Sequence, residues 1–486
     1  MNYKMIARFL GLMLTVGAVF LLPALIISLC CARWAASMAF AVTFVIMGAV
    51  SAVLLLIGRR ASRLFGPREG MVSVSVGWLV LSALGCLPFV LSGEIPVYID
   101  AFFETVSGFT TTGSSVLSQP EKLTEGILYW RSFTHWLGGM GVLVFLLAIV
   151  PGGSQGGFTM HLLRAESPGP DVGKLVPRMR KTAAILYIIY IVMTLLDVVF
   201  LLLDGSLTLL QAVCTAFGTA GTGGLGVWGD SLMRCTPYVQ NVTAVFMFLF
   251  GVNFSCYYLL LLGSFKSVLC DEELRTYVLL ALGVIVLIAL DIRGLYPTLE
   301  ETVRHAVFQV SSIMTTTGYV TTDFDLWPMF SKGLLMLLMM VGACAGSTGG
   351  GFKVARLLLV FKSLRRNIRR VIDPKKVEVV RISGRTVSET VLDNTNAYTA
   401  AYFVIIVISF LLIALDPFVQ DVGTGLTAVL ACFNNIGPGL SAVGPTCNFA
   451  GMSAFSKIIL SLDMLAGRLE IFPMLILLSR STWRRK

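Results

Sequence analysis

One short glycine-bearing stretch recurs four times along this chain, always in the same setting, and that repetition constrains the fold most. Phe109-Thr110-Thr111-Thr112-Gly113-Ser114 returns as Met314-Thr315-Thr316-Thr317-Gly318-Tyr319. Weaker copies are Thr219-Ala220-Gly221-Thr222-Gly223-Gly224 and Asn434-Asn435-Ile436-Gly437-Pro438-Gly439. The glycines at 113, 223, 318 and 437 stand 110, 95 and 119 residues apart. Each lies between two long apolar runs, behind a shorter amphipathic segment that reads as a half-length re-entrant helix. Four such units in one polypeptide can supply four walls around one axis. The pattern predicts an ion-conducting pore.

Composition agrees. Of 486 residues, 56% are hydrophobic and 13% charged, against about 25% charged in soluble domains. Repeated runs of about 20 apolar residues predict helical spans, not the short alternating segments of a membrane barrel. The expected architecture is an all-α polytopic membrane protein with two leading spans followed by four helix–pore-loop–helix repeats.

The leading hairpin occupies 1–70, with helices near 5–30 and 35–58. Lys4 and Arg8 before an apolar run resemble a signal sequence, but the run is too long and no small-residue cleavage site follows. Repeat one covers 71–181, with helix 71–91, re-entrant segment 98–110 and helix 127–150. Repeat two covers 182–274, with helices near 182–203 and 239–264 around a re-entrant segment at 207–218. Repeat three, 275–396, uses 275–292, 300–314 and an interrupted 329–370, then a cytoplasmic loop. Repeat four, 397–486, uses 397–415, 421–433 and a long, broken 452–484.

The net charge of +10 would suit nucleic acid, but its distribution argues for membrane orientation and against that partner. With the glycine loops outward, the inner segments hold Arg59, Arg60, Arg63, Arg68, Arg164, Lys174, Arg178, Arg180, Lys181, Lys266 and Arg275. They also hold the basic run from Lys353 to Arg385 and the terminal Arg480, Arg484, Arg485 and Lys486. The outer segments hold acids, among them Glu94, Asp100, Glu104, Glu121, Glu125, Asp230, Asp323, Asp325, Asp416 and Asp421. This asymmetry obeys the positive-inside rule and places both termini in the cytoplasm. It also puts negative charge around the outer mouth, which would concentrate cations. Taken singly, each acid reads more simply as a solvated loop residue.

No CxxC pair or metal-ligand spacing links the ten cysteines to the three histidines. Cys235 and Cys447 both fall in outer loops, where a disulfide depends on a distance that sequence does not supply. The glycine-rich Pro151–Gly157 and Gly349–Lys353 stretches lack the Lys-Ser/Thr and strand–helix setting of nucleotide loops. No paired acids or His/Asp/Glu cluster lies within the spans, so the chain is not expected to be an enzyme.

A filter replaces the water around a dehydrated cation with inward-facing carbonyls. Glycine permits the backbone angles this needs, and small neighbours leave room behind it. The re-entrant helices would aim their negative C-terminal ends at the axis. The expected K+ ligands lie at Thr111, Thr112 and Gly113, at Ala220, Thr222 and Gly223, at Thr316, Thr317 and Gly318, and at Asn435, Ile436 and Gly437. The plainer alternative is four helix-breaking turns in a transporter of another class.

Residues 103–113, the run Trp136-Leu-Gly-Gly-Met-Gly-Val142, Thr315–Gly318 and Asn434–Leu440 together resemble the TrkH/TrkG/KtrB potassium uptake family. The two extra leading helices resemble its TrkH branch. The second loop departs most, having no bulky residue between Ala220 and Gly223. The resemblance implies a pseudo-fourfold pore selective for K+ and Rb+ over Na+, in a homodimer of the prokaryotic inner membrane with one pore per subunit. It also implies a cytoplasmic TrkA-like ring that binds NAD or ATP. The basic inner face could receive that ring, or anionic membrane lipid. K+ in the filter is the expected ligand, and no organic cofactor is expected on this chain.

Two gate elements follow. Repeat three's inner helix breaks at Gly342–Gly351, where Gly346, Gly349, Gly350 and Gly351 would let a loop move aside below the filter; a static kink is the alternative. Arg468 sits about 20 Å along an apolar helix that rises 1.5 Å per residue. A central Arg costs about 2.5–3.5 kcal/mol unless it faces water or a partner. Either it lines the pore, or it pairs with Asp463 or Glu470. Few other ionisable groups fall at mid-span, which favours a passive pore over a Na+- or H+-coupled carrier.

Overall fold

Helices dominate because nearly every apolar run is long enough to satisfy its own backbone, as a lipid environment demands. The structure, a computed structural model, describes residues 1–61, 66–141, 179–375 and 378–483. The sequence features at Arg63, Val142, Pro151–Gly157, Arg164, Lys174, Arg178, Lys376 and Arg484–Lys486, and the helix expected beyond 141, lie outside the described residues. Among the described residues, six helices are long and apolar enough to cross a membrane, or seven if the bent pair Pro237–Phe250 and Phe254–Leu261 is one span. The chain is a multi-pass membrane protein.

The first run is two helices, Tyr3–Phe20 and Leu22–Cys30, jointed at Leu21 just before Pro23. It packs along Trp34–Gly58, where Ser51 Oγ donates to Gly11 O at 2.7 Å. Met13, Leu14, Phe40 and Met47 of this hairpin join one core with Trp78 and Leu81 of repeat one.

Four short helices follow the re-entrant pattern: Tyr98–Phe109, Leu209–Gly221, Leu299–Met314 and Val422–Phe433. Three of them begin at a side-chain cap, Thr208, Thr298 or Asp421, which satisfies amides the first turn leaves free. The helix that follows each loop is short or broken, so it fails the length of a continuous span. In repeat one it is Glu125–Gly139; in repeat two it bends by 88° at Gly251–Asn253. Repeat three stops at Val341 and resumes as Val354–Ile372; repeat four stops at Arg468 and resumes as Phe472–Leu478. The uninterrupted 239–264 helix read from hydropathy is thereby corrected. Gly251 O accepts from Cys344 N at 3.1 Å and Gly346 O from Phe254 N at 3.1 Å, so repeat two breaks where repeat three docks against it.

A two-stranded hairpin pairs Arg381–Ile382 with Arg385–Thr386 around Ser383-Gly384 in the loop after repeat three. All ten cysteines are free thiols, Cys235 and Cys447 included.

Candidate functional site

Each re-entrant helix ends in the same way. A left-handed residue follows within two positions of its last helical residue: Thr111 at φ 55°, Thr222 at 52°, Thr316 at 59° and Asn435 at 56°. Its amide reaches back three residues and the next amide reaches back five, as in Thr112 N to Ser107 O and Thr317 N to Ser312 O, both 2.8 Å. Gly223 N to Gly218 O at 2.9 Å and Ile436 N to Ala431 O at 2.8 Å complete the set. This is a Schellman end, which normally takes Gly at the left-handed position. Threonine and asparagine there carry strain, of a kind that concentrates at functional sites.

The hydrogen bonds also set the register. Thr111, Thr222, Thr316 and Asn435 correspond, as do Thr112, Gly223, Thr317 and Ile436. The glycines with positive φ are then Gly113 (87°), Gly224 (68°), Gly318 (83°) and Gly437 (103°). Gly223 is therefore not the counterpart of Gly113, and Ala220 lies inside its helix, level with Phe109, Met314 and Phe433. The second loop is therefore displaced by one residue from the expected set, because its Gly-Gly pair offers two equivalent choices.

The four glycines close a ring. A Cβ on Gly113 would strike Gly223 O; on Gly224, Thr317 O; on Gly318, Ile436 O; and on Gly437, Thr112 O at 2.9 Å. Each glycine is thus seated on the central carbonyl of the next loop, in the order one, two, three, four, one. Ser114 Oγ donates to Gly437 O at 3.1 Å, and Asn435 Nδ2 to Thr112 Oγ1 at 2.9 Å. Thr111 Oγ1 is buried with no hydrogen-bond partner among the described residues. Outside the ring, a cavity of about 80 Å3 touches Gly113, Gly224, Gly318 and Gly437 together.

Arg131 lines that cavity, and its partner is an acid that the sequence placed among outer loop residues. Glu104 is fully buried on the first re-entrant helix and pairs with Arg131 Nε at 2.7 Å. It also accepts from Val116 N at 2.9 Å, while Arg131 donates to Gly226 O at 2.8 Å. Two post-glycine loops are clamped by this pair, which sequence reading missed because neither residue stands out in an amphipathic helix. Other outer acids are also bonded: Asp100 to Lys457 at 2.7 Å, Glu94 to Thr124 and Asp325 to Ser441. At the outer end of the fourth re-entrant helix, the Thr424 hydroxyl holds the Asp421 carboxyl below its usual range.

Inside the ring lies the break of repeat three. Gly350 N donates to Thr316 Oγ1 at 2.7 Å, and a Cβ on Gly350 would meet Asn434 O at 2.6 Å. A Cβ on Gly349 would meet Thr315 O at 2.9 Å. Gly346 and Gly351 bend the loop at φ 72° and 78°. Arg468 donates to Thr348 O at 2.9 Å, to Gly139 O at 2.7 Å and to Gly138 O. It therefore joins this loop to the C-terminal end of Glu125–Gly139, where helix carbonyls favour a cation. Asp463 instead accepts from Ser409 at 2.7 Å, and Glu470 pairs with Lys353 and Arg356. Lys353, Glu470 and Ile471 all have positive φ, so the two helix breaks meet in one strained cluster.

Of the two histidines flanking the re-entrant helices, His305 is satisfied by Thr321 Oγ1 at 2.9 Å. His135 is not: it is fully buried, and among the described residues neither ring nitrogen has a hydrogen-bond partner. Asp197 is also fully buried, with the Thr219 side chain beside it.

The sequence profile of the TrkH family, described as a cation transport protein, matches residues 36–484. The chain is 35% identical to the Trk system potassium uptake protein TrkH of Salmonella typhimurium over 494 residues, covering all of both chains. It is 31% identical to the Trk system potassium uptake protein TrkG of Escherichia coli, covering 92% of this chain and 91% of that one. The crystal structure of the potassium transporter TrkH from Vibrio parahaemolyticus superposes with a TM-score of 0.88 at 31% identity, covering 100% of both chains.

Proposed function

The chain belongs to the TrkH family of cation transport proteins, and from that premise we propose that it takes up K+ through a selective, channel-like pore. It is a transporter, not an enzyme. The observation that carries the proposal is the closed ring in which each glycine rests on the next loop's carbonyl. A side chain at any of the four glycines would collide with that carbonyl, so backbone oxygens, with the Thr111 hydroxyl beside them, would replace the hydration shell of K+ or Rb+. Potassium uptake in the names of the curated relatives supports that cargo.

In this reading the Gly342–Gly351 loop and Arg468 form the gate. The loop touches the inner ends of the third and fourth re-entrant helices, and the guanidinium tethers it while repelling cations by charge. Opening requires the arginine to release Thr348 O and the loop to move aside. The proposal extends to a homodimer in a prokaryotic inner membrane with both termini cytoplasmic. The basic helix Val354–Ile372 and its loop would receive a TrkA-like NAD- or ATP-binding ring or anionic lipid. A Na+- or H+-coupled carrier is the alternative, favoured by one observation, the fully buried acid Asp197 in a span.

Rb+ uptake into liposomes holding the purified chain, with K+, Na+ and Li+ as competitors, tests the proposal. Uptake driven by the cation gradient alone, blocked by K+ and hardly by Na+, is expected. Uptake that needs a Na+ or proton gradient would transfer the assignment to the coupled carrier.

A further inference from the structure

The second loop lacks a side chain that the other three possess. At the central position the first, third and fourth loops carry Thr112, Thr317 and Ile436, each fully buried. The second carries Gly223, followed by Gly224, so two consecutive residues have no side chain to hold the backbone in place. Yet Gly223 O is the carbonyl on which Gly113 rests.

The vacant space is filled from another helix. A Cβ on Gly223 would overlap Nδ1, Cγ and Cε1 of His135, and one on Gly221 would meet the His135 carbonyl carbon at 2.7 Å and its Cβ at 3.2 Å. The imidazole stands where the side chain of Gly223 would be. It is fully buried and makes no hydrogen bond through either nitrogen among the described residues, so it acts on the loop by shape. Its own helix is held on both sides: one turn earlier Arg131 is clamped to Glu104 at 2.7 Å, and four residues later Arg468 donates to Gly139 O at 2.7 Å.

We infer that His135 is a specificity-determining positioning residue, a wedge supplied by repeat one that sets the central carbonyl of the second loop. This rests on the filter reading above. Without the ring, a Gly-Gly backbone beside an empty pocket is free to rotate its peptide, and one quarter of the carbonyl ring loses its fixed orientation. The design is reciprocal: bulk at 135 requires glycine at 223, and a side chain at 223 requires a small residue at 135.

The test is Rb+ uptake into liposomes with K+ and Na+ as competitors, using the full chain and its variants alongside melting temperatures. His135→Ala should lower the K+/Na+ discrimination by about tenfold, equal to 1.4 kcal/mol. His135→Gln, which keeps most of the volume, should retain it. Gly223→Thr alone should be the poorest, because its side chain meets the imidazole. The double variant His135→Ala with Gly223→Thr reproduces the arrangement of the first and third loops, and should recover discrimination beyond either single variant. Gly318→Ser serves as the control for the filter itself. Lower discrimination in Gly318→Ser with none lost in His135→Ala, and no recovery in the double variant, would overturn the role of His135 alone. Unchanged discrimination in Gly318→Ser would overturn the filter, and this inference with it. A merely structural histidine would lower the melting temperature without moving the ratio.

Discussion

Gly113, Gly224, Gly318 and Gly437 each need two things at once, a positive φ and no Cβ. The first disfavours an L side chain by roughly 1–2 kcal/mol, and the second is enforced by the carbonyl of the adjacent loop. Gly113→Ser and Gly224→Ser should each reduce the K+/Na+ preference by about tenfold in the liposome assay, equal to 1.4 kcal/mol. Equal loss at 224 would also verify the displaced register. A second residue carries a pH dependence. Burial raises the Asp416 carboxyl, but hydrogen bonds from Ser456, Ser453 and Phe418 outweigh it and hold it at about 2. An unfolded Asp titrates near 3.9, so this stabilisation is complete above that value and is lost as pH falls towards the folded one. The wild-type melting temperature should fall more steeply between about pH 4 and about pH 2 than that of Asp416→Asn, and parallel slopes would discount the carboxylate. What sequence could tell at this scale was uneven. Thr111–Gly113 and Thr316–Gly318 announced their loops by composition, whereas Glu104 looked like any outer acid until its helix faced Arg131.

The broken helices are the elements on which conduction would turn. Glycines made both the third-repeat break and its place legible, since Gly342–Gly351 has too few side chains to pack as a span. The partner of Arg468 was not legible, because Thr348 and Gly139 are 120 and 329 residues away in the chain. Asp463 and Glu470 were closer in sequence, yet Ser409 and the Lys353–Arg356 pair engage them. With the arginine tethering the Thr348 carbonyl, Arg468→Ala should raise gradient-driven Rb+ flux several-fold in the absence of any partner. Loss of flux in a protein of unchanged melting temperature would make the contact purely structural. Deleting residues 346–351 should likewise raise flux, and an inert deletion would leave the segment a kink.

Across the whole molecule, the leading hairpin lies outside the ring and packs on repeat one, reaching the helix Glu125–Gly139 through Phe20 against Phe133 and Arg33 against Glu125. Met13 and Leu14 share a core with Trp78 and Leu81, and a Cβ on Gly77 would meet Met13 Sδ at 2.7 Å. A chain lacking residues 1–66 should melt several degrees lower and keep its ion preference, because among the described residues the hydrogen bonds that fix the glycine loops come from outside the hairpin; a changed preference would show that the hairpin shapes the pore. Sequence alone determined the helical class, the four short re-entrant helices and the breaks in the third and fourth repeats. Those follow from local quantities: apolar run length, glycine content and charge asymmetry along the chain. Only the tertiary structure decided which glycine of the second loop joins the ring, which carbonyls Arg468 holds, that Glu104 braces a loop rather than facing solvent, and that His135 fills the space beside Gly223. Each of these depends on groups brought together from different repeats, where excluded volume and hydrogen-bond geometry, rather than any pattern along one segment, settle the arrangement.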